Sequence, residues 1–241
     1  MSIKPRQITV GGVRVQVLSK DIKNLHLGVY PPNGRVRVAA PLRVSDSAVR
    51  LAVVGKLGWI KRQRAKFESQ PRQSRREMVS GESHYFLGRR YRLRVIEREG
   101  SPMVLVKGRF IEIHLRPETK ARQRDEILQQ WYRQRLKQLI APLVEKWQDT
   151  LGVSLAKWGV KKMKTRWGTC NAEARRIWLN LELAKKPVQC LEYIIVHELV
   201  HLITRHHDDH FVALMNKYLP QWHSHRAALN AAPLSHSTWS Y

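Results

Sequence analysis

At 241 residues and 43% hydrophobic content the chain is long enough to bury a core, with room for one large domain or two small ones. Forty-four Lys and Arg against 19 Asp and Glu leave a formal charge of +25, so an anionic neighbour is expected. Two cysteines, Cys170 and Cys190, exclude a disulfide scaffold, and no apolar run reaches the ~18 residues of a membrane span.

The charge is uneven. Residues 1–76 hold 17 bases and 3 acids, whereas residues 191–241 hold 3 bases and 4 acids. No positively flanked apolar segment opens the sequence, so the expected setting is reducing and cytoplasmic, with no membrane partner.

From Ile8 to Pro41 the runs "VRVQVL" and "GRVRVAAP" alternate with period two around "PPNG", which predicts a β-hairpin. Ser45 is placed as an N-cap with Asp46 in the first turn, and Val49, Ala52, Val53, Leu57 and Ile60 predict one helix over about 46–68. "QPRQSRRE" is a polar linker, and "HYFLG", "RYRLRVIE", "MVLVKG" and "FIEIHL" predict four short strands.

After Pro117 the period changes. Leu128, Trp131, Tyr132, Leu136, Leu139, Leu143 and Trp147 mark one face of a long helix that Pro142 is placed to kink or split. "LAKWGVKKMKTRWGTC" and "RIWLNLELA" follow as two strands joined by "NAEAR", and Pro187 precedes a helix over about 188–204. Asp208 or Asp209 caps a last helix, with Phe211, Leu214, Met215 and Tyr218 on one face, that stops at Pro220. No internal repeat is visible in the residues.

His197 and His201 stand four apart on a helix, so both rings leave one face a turn apart and can meet one small cation, with Glu198 beside them. Core histidines satisfied by their neighbours would give the same pattern. Against this, the apolar residues around "VHELVHL" leave almost no polar face, and burying two imidazoles and a carboxylate unpaired costs several kcal/mol. A hydrolytic zinc takes a third protein ligand and leaves the fourth position to water. No Glu follows Glu198, so Asp208, Asp209, His206, His207 and His210 are the candidates. His207 lies at the offset of the last histidine in H-E-x-x-H-x-x-G-x-x-H, although Thr204 stands where that pattern has Gly; His210 is the next choice.

The runs "GRVRVAAPLRVSD", "WIKRQ", "SGESHYFLGRRYRLRV", "TRWGTC", "IWLNLEL", "VHELVHL" and "HDDHF" together resemble the YgjP-like metal-dependent hydrolases, relatives of the SprT-like zinc metalloproteins, over nearly the whole chain. That resemblance implies His207 as the third metal ligand and Glu198 as general base. It also implies an association with nucleoside triphosphate pyrophosphatase activity, notably on UTP. This chain has His206 where the family often has Asn, Asp208-Asp209 where it has Ser-Pro, and Thr169 where Ser is common.

The expected fold is α+β: a basic, β-rich domain with one helix over 1–120, then a small zincin-like metal-binding catalytic domain over 121–241, its HExxH helix packed on an antiparallel hairpin. The first functional reading is a zinc metallopeptidase with one Zn2+ per chain on His197, His201 and His207, and Glu198 taking a proton from the attacking water. A UTP pyrophosphatase and a non-enzymatic, nucleic-acid-associated zinc protein are the alternatives. Arg166, Trp167 and Asn180, just ahead of the helix, are the substrate-binding candidates, Trp167 serving equally well as core; Cys170 reads as a buried thiol. The runs "KRQRAK" and "RRYRLR" are expected to attract nucleic acid or another polyanion, or to be plain solvated surface.

Overall fold

The computed structural model describes residues 6–30, 33–69, 76–163 and 166–231. It is a mixed α+β protein of three small sheets and six helices among the described residues, forming two compact units that divide between residues 73 and 74. None of these helices is long and apolar enough to cross a membrane.

The first unit contains β1 (Arg6–Val10), β2 (Val13–Lys20), β3 (His26–Tyr30), β4 (Arg35–Pro41), α1 (Asp46–Val54) and α2 (Leu57–Ser69). Its sheet order is β1-β2-β4-β3, with β2 and β4 parallel and the outer pairs antiparallel. The two alternating runs expected to pair as a hairpin are therefore parallel neighbours, because β3 takes the hairpin place beside β4. Gly11 and Gly12, at φ +54° and +74°, make the tight turn from β1 to β2. Alternation then does its work: Val13, Val15, Val17, Val36, Val38 and Ala40 face a core closed by Val49, Val53 and Ile60 of the helices. Ser45 caps α1 by accepting the Ala48 N–H, as expected, but the single helix is broken at Gly55, where α1 ends.

The second unit opens with β5 (Ser83–Phe86), β6 (Arg89–Glu97), β7 (Met103–Lys107) and β8 (Phe110–Leu115), in the order β5-β6-β8-β7 with β6 and β8 parallel. This repeats the connectivity of the first sheet, although the residues show no repeat. The sequence reading sets a domain division near residue 120. In the structure Leu93, Ile111, Ile113 and Leu115 of these strands share one core with Leu128, Tyr132 and Leu136 of α3 (Ala121–Leu151), so strands and helix lie in the same compact unit. The Tyr132 hydroxyl donates to the Tyr85 carbonyl at 2.8 Å. α3 runs unbroken through Pro142.

The third sheet, β10-β11-β9, is built from β9 (Lys157–Lys161), β10 (Gly168–Asn171) and β11 (Arg176–Asn180). The expected first strand is thus two strands, and only β10 and β11 form the antiparallel hairpin; β9 pairs parallel to β11. A 3-10 turn over Leu181–Lys185 leads into α4 (Val188–Val200), then α5 (Asp209–Tyr218) and α6 (Trp222–Ala231). The chain restarts as a helix after Pro220 with Trp222 and Leu229 buried, an element absent from the sequence reading. Leu136, fully buried midway along α3, is the test of this core: Leu136→Ala should lower unfolding free energy by roughly 2–5 kcal/mol, read as a lower denaturant midpoint at unchanged slope.

Candidate metal centre

α4 is apolar on almost every side, and it packs against α3, α6, β10 and β11. Trp147 and Lys146 of α3 both donate to the Glu192 carboxylate at 2.9 Å, fixing the helix where it crosses α3. His197 and Glu198 lie in the wall of an open cleft of about 780 Å³.

His197 and His201 leave that wall a turn apart, His201 standing at the helix C-cap in right-handed geometry. The chain then tightens, with Leu202, Ile203 and Thr204 N–H groups bonding back to Leu199 and Val200 carbonyls. No positive φ is needed at Thr204, which is why Gly is dispensable there. Asp208 caps α5 by accepting the Phe211 N–H at 2.9 Å, and this sets the loop from which His207 returns to the helix. Phe211, 2% exposed, backs all three imidazoles, with ring centroids at 4.6–5.1 Å.

The ligand atoms of His197, His201 and His207 lie within 4.8 Å of one another, and the cluster includes none of His206, Asp208, Asp209 or His210. His207 Nε2 sits 3.1 Å from His197 Nε2 and 3.2 Å from His201 Nε2. A tetrahedral zinc with Zn–N of about 2.0–2.1 Å holds its nitrogens roughly 3.3 Å apart, so the spacing fits such an ion. The hydrogen bonding fits it too. The Thr204 carbonyl, 3.1 Å from His201 Nδ1, can only accept, so that nitrogen carries the proton and the His201 Nε2 presents a lone pair. One hydrogen on His207 Nε2 cannot serve two neighbours, so the two contacts cannot both be ordinary hydrogen bonds, whereas one cation can meet a lone pair from each ring.

Electrostatics favours the ligand form. Burial, then the neighbouring His201 and His207, pushes His197 down to about 3, and burial lowers His201 against the pull of the Thr204 carbonyl. Neutral imidazole is the form that binds a metal. Burial raises the Glu198 carboxyl to about 7, partly offset by Arg166. Glu198 is 5% exposed and lies against β10 at Gly168, where a Cβ would stand 2.5 Å from Glu198 Oε1.

Of the substrate-binding candidates, Arg166 and half-buried Trp167 line the cleft. Asn180 does not: it is 4% exposed and its amide donates to the Met163 and Arg166 carbonyls while its oxygen caps the 3-10 turn at Glu182. It holds the hairpin rather than a ligand. Cys170 is half-buried in the cleft wall, its thiol pushed up to about 11 by burial and then Glu198, so it stays protonated.

Among the lining residues that escape the sequence reading are Tyr193, Arg205 and Arg226. Tyr193 stands four before His197, its ring edge-on to the imidazole at 5.8 Å and stacked on Trp222 of α6. The (i, i+4) spacing was available as a signal, but an apolar helix disguises one of its aromatics as core. The arginines come from the turn after α4 and from α6, which no local pattern ties to the histidines.

Metal removal tests the centre directly. Zinc at about 100-fold over its Kd should stabilise the metal-free protein by about 2.7 kcal/mol, seen as a rise in Tm. In His207→Ala that rise should collapse, together with the zinc found by elemental analysis.

Comparison with curated proteins finds no match. The family model described as YgjP-like, metallopeptidase domain matches residues 23–232, most of the 241-residue sequence and all of the site. A family of this kind implies a metal-dependent hydrolase with a metal cofactor, which three convergent imidazoles can hold. The chain belongs to the YgjP-like metallopeptidase-domain family.

Proposed function

We propose that the protein is a zinc-dependent hydrolase of peptide bonds, with His197, His201 and His207 as zinc ligands and Glu198 as general base. The observation carrying this reading is the convergence of three ring nitrogens beside a buried carboxyl in the wall of an open cleft. On this reading the α4 helix on the β10-β11 hairpin is a zincin-like arrangement. When bound, zinc supplies Lewis acidity, polarising the attacked oxygen and bringing the acidity of water toward neutral pH.

The remaining work falls to the chain's own groups. Glu198 takes the proton of the attacking water and returns it to the leaving nitrogen, and its buried carboxyl has the raised proton affinity such a relay uses. Gly168 leaves room for that carboxyl beside β10. Tyr193, whose phenol burial keeps protonated, lines the same wall and can donate to charge developing on the substrate oxygen. β10 is an edge of its sheet, so an extended peptide can add to it along the cleft.

A second reading, hydrolysis of the phosphoanhydride of a nucleoside triphosphate such as UTP, is favoured by Arg166, Arg205 and Arg226. All three line the cleft, and none has an ion-pair partner among the described residues. A purely structural zinc is disfavoured, because it takes a fourth protein ligand and the cluster holds three donors among the described residues.

Glu198→Gln should keep its zinc and lose about 10²–10⁴-fold in turnover; full activity in that variant would remove Glu198 from the reaction. Gly168→Ala, which pushes into the Glu198 carboxyl, should lower kcat with zinc content unchanged. Casein-derived peptides and UTP assayed side by side decide the bond: pyrophosphate release without peptide cleavage replaces the first reading with the second.

A further inference from the structure

The free edge strand β10 has cations on both of its faces. Gly168 and Cys170 are directed toward α4: a Cβ on Gly168 would meet Glu198, and the Glu198 charge acts on the Cys170 thiol. Thr169, between them, is therefore directed to the opposite face, where its register partner is Trp178 of β11 and, one strand further, Gly159 of β9. The Trp178 ring lies over Gly159, where a Cβ would run into it, and the Lys161 ammonium sits 3.7 Å from the ring centroid. The indole thus holds that ammonium in place without neutralising it.

On this far face Lys161, Met163, Arg166, Thr169 and Trp178 line a second hollow of about 330 Å³. Arg166 also lines the cleft on the metal side, together with Arg205 and Arg226. The Arg226 charge acts on His197 and Tyr193 and the Arg166 charge on Glu198, so both guanidinium groups stand near the metal centre. None of Lys161, Arg166, Arg205 and Arg226 has an ion-pair partner among the described residues. Against these four cations, the acids lining the two hollows among the described residues are Glu173 and the buried Glu198.

We propose that the hydrolase selects acidic peptides, taking one Asp or Glu side chain toward Arg226 on the metal side of β10 and another toward Lys161 and Arg166 on the far side. The proposal rests on the peptidase reading above and names its substrate class. An extended chain added to β10 sends successive side chains to opposite faces, so it reaches both hollows. A phosphate chain lying in the metal-side cleft would use Arg205 and Arg226 and leave Lys161 unused. A carboxylate is the partner each unpaired cation lacks, and a guanidinium fork takes it through paired hydrogen bonds.

The test starts from a neutral peptide, drawn from casein, that the zinc-loaded full-length protein cleaves; a single Glu, Gln or Lys is then placed at each position around the cleaved bond. Glu should exceed Gln in kcat/KM by about tenfold at two positions, one odd and one even along the peptide, with Lys below both. Lys161→Gln should remove the Glu preference at one of these positions and Arg226→Gln at the other, with zinc content unchanged in each. Anisotropy of the same peptides on Glu198→Gln protein should follow the same order, which reads selection apart from turnover. Equal kcat/KM for Glu and Gln peptides overturns the proposal. So does a Glu advantage that is the same at every position and survives both substitutions, since that is diffuse attraction to a chain of +25 charge. If no peptide is cleaved while UTP is, the peptidase reading fails and the proposal falls with it, a result distinct from cleavage without preference.

Discussion

A helix that is buried on nearly all sides has little room for charge and lone pairs, and the second unit is organised around that restriction on α4. Core contacts occupy Leu191, Ile195, Val196, Leu199 and Val200, so the imidazoles of His197 and His201 and the carboxyl of Glu198 share a single solvent-facing wall. Desolvation keeps the rings neutral and the carboxyl basic. Burial thus acts on both kinds of group at once, favouring the neutral ring and the protonated carboxyl, with Thr204 and Arg166 adjusting His201 and Glu198.

Around that wall the elements have separable duties. α3 supplies the long apolar face and the indole and ammonium that grip Glu192. β10 supplies a free edge and, at Gly168, the missing side chain that Glu198 needs. α6 supplies Trp222 behind Tyr193, and that indole is itself held by a 2.8 Å hydrogen bond to Asn216 of α5.

How much of this was legible in the residues follows from the range of the forces concerned. Period-two alternation, the Ser45 cap, the (i, i+4) histidines and the cap at Asp208 are local, and each stands where the pattern puts it. Strand pairing is not local: that β2 lies parallel to β4, and that β5 to β8 close the core of α3, depends on burying faces contributed by segments far apart in the chain. Pro142 looked like a break, yet the helix continues, its flanks held by Ile140 and Val144 in the core. Asn180 looked available beside Trp167 because its polarity is visible in the sequence and its backbone partners are not. The family resemblance, carried by motifs across both units, pointed to a match that spans residues 23–232.

The short stretch from His207 to Phe211 holds one ring of the histidine cluster, the side chain that starts α5, and the aromatic that backs the cluster. Fraying of the first turn of α5 would therefore loosen ring, cap and backing at once. The affinity of the cluster for an ion would therefore be linked to the local unfolding equilibrium of α5, an ion on the three rings slowing amide exchange in that helix and a loosened helix weakening the hold on the ion.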